Sequence, residues 1–427
     1  MNHLNTCFKF YLTTSVLLLC VQLSAAQNVD SSFNTIYQLI IQKDFFTARD
    51  RYATNKTAFK ETYQKKIIAA VLANAFNKPR DSNKEIASLK INKNELPDTL
   101  QLKVLRIQED NFVKLKDYAG AKRTAENVLL RFDRLLTADE KEDLRNNLKI
   151  WSALAHVPAQ VVSITGDSRL KMTKDAAGLK NLKITVNGHT AQFIFDTGAN
   201  LSTVSESTAK RLNMAIIPAS IDVDAITGIS IKADLAVCKA LKFGHITVSD
   251  AVFLVFPDSA LRIPQINYQI NGIIGFPVIE ALHEIQLTQD DLFIVPQKET
   301  ASSQNSNLAI DGLSPLLSIE GKHYAFDTGA EKTILYESFY KTYKREIERK
   351  YNPKTIAMGG AGGRIEHEGF IIDHTFIIGH KSIFLENISV LKSKIKDETV
   401  YGNIGQDIIH QFSKMIINFS RMYIRFD

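Results

Sequence analysis

Phe193-Ile194-Phe195-Asp196-Thr197-Gly198-Ala199 and, 131 residues later, Ala325-Phe326-Asp327-Thr328-Gly329-Ala330 are the stretches that decide the fold. Each sets an Asp at the end of an apolar run, and each has a hydroxyl residue six positions after that Asp, Ser202 and Thr333. Average composition gives on the order of 0.1 chance Asp-Thr-Gly per chain of this size, so one copy would mean little. Two copies with matching flanks mean more. A carboxylate at the end of a buried strand, followed by a Gly that permits a tight turn, is costly to build twice.

The flanks extend the match. Counted from each Asp, a Gly stands at +32 (Gly228, Gly359), and a Gly-His pair follows at +48 and +52 (Gly244-His245, Gly379-His380). Alternating runs come next, 246–256 and 383–391, which read as strands. Ile273-Ile274-Gly275 and Asn403-Ile404-Gly405 close the two series, their Gly residues at +79 and +78. Landmarks in one order across one period indicate an internal duplication. Leu182, Ile184 and Val186 alternate with polar residues ahead of Asn187-Gly188, a hairpin signal.

Composition bounds the rest. The 427 residues exceed one ordinary core, so two or three domains are expected. Apolar residues make 45% and charged residues 23%, as in a folded, water-exposed protein. The net charge of +6 is spread thinly, which reads as a solvated surface and not a nucleic-acid site. At the start, Lys9 is the lone charge before the apolar stretch 10–23, and Ser24-Ala25-Ala26 offers small residues ahead of Gln27. Cleavage after Ala26 would export the chain to a bacterial periplasm or beyond the cell. An uncleaved anchor and lipidation at Cys20 are the alternatives, the last disfavoured by Leu19. The apolar run is short for a span of about 20 residues, so no membrane span is expected after cleavage. Cys238 is then the one mature cysteine; it sits in the alternating stretch 235–241 and reads as a buried structural thiol.

Residues 27–158 carry helical periodicity: Phe33, Ile36, Leu39 and Ile40; Ile67, Ile68, Val71 and Leu72; Val104, Ile107 and Phe112. The stretch 99–132 predicts two helices broken at Lys116-Asp117-Tyr118, with Ala121 and Ala125 allowing close packing. This is similar to a degenerate tetratricopeptide (TPR-like) array; a helical cap without repeat symmetry is the other reading. Trp151 is expected to pack. The texture turns to β near 159, and the polar stretch 297–309 reads as a linker between a first β half, 159–296, and a second, 310–427.

The duplicated Asp-Thr-Gly-Ala with its later apolar-apolar-Gly resembles the aspartic peptidases, specifically the retropepsin-like group, with both copies in one chain as in pepsin-like members. The resemblance covers roughly 160–427. It implies a mainly β, bilobal double barrel with two psi-loop lobes, behind the helical N-terminal domain. It implies Asp196 and Asp327 as the catalytic pair, and Thr197, Gly198, Thr328 and Gly329 as supports of the two loops. Ile274-Gly275 and Ile404-Gly405 would be the psi-loop residues, with Asn403 a departure from the usual apolar residue. Gly228, Gly359 and Gly360 are candidate flap residues. The implied activity is endopeptidase cleavage of a polypeptide, with no metal and no cofactor.

The physics stands beside the resemblance. Two facing carboxylates cannot both ionise cheaply, share a proton, and suit activation of water for attack on an amide; aspartic proteases are the standard example of that split. Ala199 and Ala330 bring no hydroxyl to the carboxylates, so a pair titrating higher than one with Ser there is expected.

Other chemistries find less support. The histidines are scattered, with no His-Glu-x-x-His, and Gly-x-Ser-x-Gly is absent. The Gly359–Gly363 run lacks the Lys-Ser/Thr of a phosphate cradle. The alternative to an enzyme is a non-catalytic peptide-binding module that uses the same cleft and the helical array. Two copies in one chain close one site, so a monomer is the expectation, with a helical domain able to bind a protein partner.

Overall fold

The computed structural model describes residues 32–55, 63–89, 96–224, 230–360, 363–395 and 398–427. Residues 1–26, on which the export reading rests, lie outside them, as does Gly228. An N-terminal helical region is followed by a mainly β C-terminal region.

Helices pair in sequence order. Asp98–Lys114 and Tyr118–Phe132 meet at the expected break, where Lys116 takes φ 59° and Asp117 caps the second helix by accepting from the Gly120 N–H at 2.8 Å. Ala121 and Ala125 are fully buried where these helices approach. Trp151, on Ala138–Leu154, stacks on Tyr118 with ring centroids 5.9 Å apart and donates to Glu109 Oε1 at 3.1 Å. Its role is packing, as expected.

Most strands of the first β half form one 11-stranded sheet. Lys180–Val186 and His189–Phe195 pair through Asn187-Gly188, both at positive φ, as the hairpin signal requires. The two Gly-His pairs are likewise two-residue turns, joining Leu241–Phe243 to Ile246–Ser249 and Gly363–Ile378 to Lys381–Leu391. In both, glycine takes the positive-φ position. One expected strand differs. The run 246–256 breaks at Asp250, φ 55°, so Ile246–Ser249 pairs with Leu241–Phe243 while Ala251–Phe256 pairs with Ser202–Ser205 and Ser230–Cys238. Its counterpart, Lys381–Leu391, stays one strand beside Ile334–Leu335 and Gly363–Ile378, absorbing the irregularity as a bulge between Ile372 and His374. Cys238 is buried in Ser230–Cys238, and burial pushes its thiol up to about 11, which makes it inert at neutral pH.

A five-stranded sheet joins the halves. Its order is Ser168–Lys171, Leu292–Val295, Glu284–Thr288, Lys414–Asn418, Tyr423–Phe426, so strands from the end of each half pair along 284–288 and 414–418. Residues 297–307 form neither helix nor strand. Glu284, buried in this sheet, accepts from Gln286, Thr300 and Asn418 side chains, which satisfies a carboxylate that would otherwise be costly there.

The helical region packs on both halves. Ala309, Leu316 and Val400 share a core with Phe45, Ile67 and Val104, while Ile221, Leu235 and Val252 share one with Val128, Leu144 and Trp151. Polar contacts frame these cores. Lys43 pairs with Asp311 at 3.1 Å and Glu398 at 3.2 Å, and His323 Nε2 lies 3.0 Å from the Gln42 carbonyl. Asn146 grips the backbone of Asp222 twice: its Nδ2 donates to the carbonyl at 2.5 Å, and its Oδ1 accepts from the N–H at 2.8 Å. Strand Ala215–Asp224 pairs with Ser230–Cys238, so helix Ala138–Leu154 fastens the outer strand of that pair. Asn146→Ala removes both bonds, and about 1–3 kcal/mol of local stability is expected to go with them. Faster amide exchange across 215–238 is the expected readout; unchanged exchange would mean the pair holds itself.

Candidate active site

Each Asp follows a strand that is clasped from one side. His189–Phe195 pairs in parallel with Gly272–Ile274, and the Asp196 N–H donates to the Ile274 carbonyl at 3.1 Å. Lys322–Phe326 pairs in parallel with Gly402–Ile404, and the Asp327 N–H donates to the Ile404 carbonyl at 3.0 Å. The same short strands run antiparallel to Ser202–Ser205 and Ile334–Leu335. Both loops thus start from one backbone frame.

The hydroxyls six residues after each Asp have a structural task that the sequence left unassigned. Ser202 Oγ accepts from the Gly275 N–H at 3.0 Å, and Thr333 Oγ1 accepts from the Gly405 N–H at 3.1 Å. A Cβ at Gly275 would lie 2.5 Å from the Leu201 carbonyl carbon, and one at Gly405 2.8 Å from that of Lys332. Glycine is required by close approach at both.

The two loops lock together. The Thr197 N–H donates to Thr328 Oγ1 at 3.0 Å, and the Thr328 N–H donates to Thr197 Oγ1 at 3.0 Å. Each hydroxyl donates onward, Thr197 to the Phe326 carbonyl at 3.0 Å and Thr328 to the Phe195 carbonyl at 3.2 Å. Both threonines are buried, so four hydrogen bonds cross the junction in a setting where an unmade bond is costly.

This lock sets the carboxyl groups side by side. The two carboxyls lie close enough to interact directly, and both residues are half-buried. A Cβ at Gly198 would sit 2.6 Å from Asp327 Cγ, and one at Gly329 2.3 Å from Asp196 Cγ, so each glycine leaves room for the opposite carboxyl. The Gly198 N–H donates to Asp196 Oδ1 at 2.8 Å, and the Gly329 N–H to Asp327 Oδ1 at 2.8 Å. Burial first, then the Asp327 charge and hydrogen bond, hold Asp196 well above the usual carboxylate range against the Gly198 and Ala199 N–H groups.

The symmetry stops at the side chains around the pair. Asn403, which departs from the apolar pattern, donates its Nδ2 to Asp327 Oδ2 at 2.9 Å; its counterpart in the first half is Ile273. Ala330 brings no hydroxyl to Asp327, as the sequence indicates, but a side-chain donor arrives from the clasping strand instead. Asn403 Oδ1 is buried and has no partner among the described residues, an arrangement that costs about 1–3 kcal/mol. Gln406 Nε2 donates to the Thr328 carbonyl at 2.7 Å, and Asp407 accepts from Thr333 Oγ1 at 2.6 Å. Beside this loop opens a cavity of ≈ 220 Å³ lined by Lys174, Leu179, Lys180, Glu331, Lys332 and His410, among others.

Gly359 and Gly360 pair with Arg364 and Gly363 near the tip of the hairpin made by Lys354–Gly360 and Gly363–Ile378. Ile274 and Ile404 are buried in the clasping strands.

Residues 182–278 match the family model for aspartyl proteases, a segment that holds Asp196 and Ile274-Gly275 and makes up less than a quarter of the chain. That match supports an aspartyl protease family. Comparison with curated proteins gives no match. Among the described residues, no helix is long and apolar enough to cross a membrane.

Thr328→Val deletes two bonds of the lock and strands the Thr197 N–H and the Phe195 carbonyl. A loss of about 2–4 kcal/mol in chemical denaturation is expected, with Thr328→Ser much milder. A second outcome follows from linkage. A carboxyl whose folded pKa is raised stabilises the fold below its unfolded pKa, and that contribution is lost as pH rises through the folded pKa. Asp196→Asn lacks this loss, so its melting temperature should gain on the wild type between pH 4 and pH 7. A constant difference across that window would count against the shared proton.

Proposed function

We propose that this chain is an aspartic endopeptidase whose water nucleophile is activated by Asp196 and Asp327. The observation that carries the proposal is the pair of half-buried carboxyls set side by side on equivalent, cross-braced loops; burial and the Asp327 charge raise Asp196 above the ordinary carboxylate range. On this reading the two β halves are psi-loop lobes of a double barrel, and the hairpins 215–238 and 354–378 are flaps over the cleft. The helical region reads as a TPR-like array or a cap; its packing on both halves favours the cap.

The chemistry follows from one shared proton. The ionised carboxylate takes a proton from water as its oxygen bonds to the scissile carbonyl carbon. The carbonyl π bond opens, and its oxygen receives the proton of the other carboxyl, giving a neutral gem-diol. Collapse re-forms the carbonyl and breaks the C–N bond, with a proton delivered to the leaving nitrogen and the remaining one returned to the pair. No covalent enzyme intermediate forms. The substrate is a polypeptide, and the export reading places it outside the cytoplasm.

Dye-labelled casein incubated with the mature chain tests this. Cleavage that falls at least 10³-fold in both Asp196→Asn and Asp327→Asn is expected, with a bell-shaped pH dependence. Fragments unchanged in both variants would overturn the peptidase reading. Casein bound but uncut by the wild type would favour the peptide-binding module.

A further inference from the structure

We propose that Asn403 is a positioning residue that decides which of the two aspartates carries the charge: its amide fixes the ionised carboxylate on Asp327 and leaves the proton on Asp196. The inference rests on the peptidase reading and adds to it the roles of the individual acids, Asp327 as base toward water and Asp196 as donor to the carbonyl oxygen.

The argument begins with a duplication that makes the two loops nearly equivalent. Each Asp accepts a backbone N–H from its own Gly at 2.8 Å, and each strand is clasped by a parallel partner at the same register. A pair in such matched frames has little reason to prefer one site for its proton. The matching ends at one position in the clasping strands. Ile273 pairs with Ile194 in the first half; Asn403 pairs with Ala325 in the second. Only the second can donate, and it does so to Asp327 Oδ2 at 2.9 Å. A donor aimed at a carboxylate oxygen favours the charged form. The orphaned Asn403 Oδ1 points the same way. The amide leaves one buried oxygen unpaired while spending its NH₂ on Asp327, a cost an apolar residue would avoid.

Other groups facing the pair leave this preference in place. Tyr336, beyond the strand Ile334–Leu335, feels the charges of Glu398 and Asp327, and its phenol is held neutral by burial. Asp407 is occupied by the Thr333 N–H and hydroxyl. Glu331 and Lys332 stand on the same loop with opposite charges, and His410 beyond them is lowered by burial and by Lys180 and Lys174. At the corresponding first-half positions stand Asn200 and Leu201, which carry no charge. Asn403 is the neutral donor that separates the two acids.

The test replaces Asn403 with the residue of the other half. Protein labelled with ¹³C at the Asp side-chain carboxyl is titrated by NMR, the two signals assigned with Asp196→Asn and Asp327→Asn. In the wild type, Asp327 should ionise first. In Asn403→Ile the first ionisation should move up by about one pH unit, and in Asn403→Ile/Ile273→Asn the order should invert. With labelled casein, the acid limb of the wild-type profile should move by the same unit in Asn403→Ile, with KM little changed. Asn403→Ala is read in the same way and covers the case in which the bulkier change fails to fold. Asp327 ionising first at an unchanged pH in these variants, or a lower rate with an unmoved acid limb, would overturn the assignment and leave Asn403 a packing residue. Absence of casein cleavage by the wild type at every pH would strike the peptidase reading alone, because the titration order is measured without turnover.

Discussion

The reciprocal bonding of Thr197 and Thr328 is the constraint on which the rest of the molecule turns. A carboxyl pair held this close repels as soon as both members ionise, so something outside the pair must fix the distance. Here four hydrogen bonds tie each loop to the other, and neither loop can move without stranding buried groups of both. Gly198 and Gly329 complete the arrangement by omission. A methyl group at either would occupy the space of the opposite carboxyl.

That lock needs two halves presented at a fixed angle, and the fold supplies this twice over. The sheet built from strands 284–288 and 414–418 joins the halves by backbone bonds. The helical region then contacts both, through apolar cores that include Leu316 and Leu235 and through ion pairs such as Lys43 with Asp311 and Glu398. A region spread over both halves this way restrains their relative motion as well as the strand 215–224.

Duplication and divergence are separable here by the kind of bond involved. Backbone pairings around each Asp repeat, because a clasping strand and a tight turn admit few solutions. Side chains beyond the backbone do not repeat. Ser202 acts alone, whereas Thr333 is also held by Asp407; Phe276 makes no counterpart to the bond from Gln406 to Thr328. Ile273 is apolar where Asn403 donates. One half thus carries a stiffer and more polar frame around its acid than the other.

The sequence by itself determined the duplication, the two Asp-Thr-Gly-Ala loops, the hairpin at Asn187-Gly188 and the helix break at Lys116-Asp117; it marked both Gly-His pairs as landmarks, and the structure made them turns. These are local signals, set by turn chemistry and by periodicity within a few residues. Tertiary structure alone decided what depends on distant neighbours. The split of 246–256 at Asp250 came from two different partner strands, and the sheet shared by 284–288 and 414–418 pairs residues some 130 apart. The sequence marked Asn403 as an irregularity in an apolar motif; only folding brought its amide to Asp327, 76 residues away in the chain. A hydrogen bond has direction and a reach of about 3 Å, and neither property leaves a trace in residue spacing until the backbone is in place.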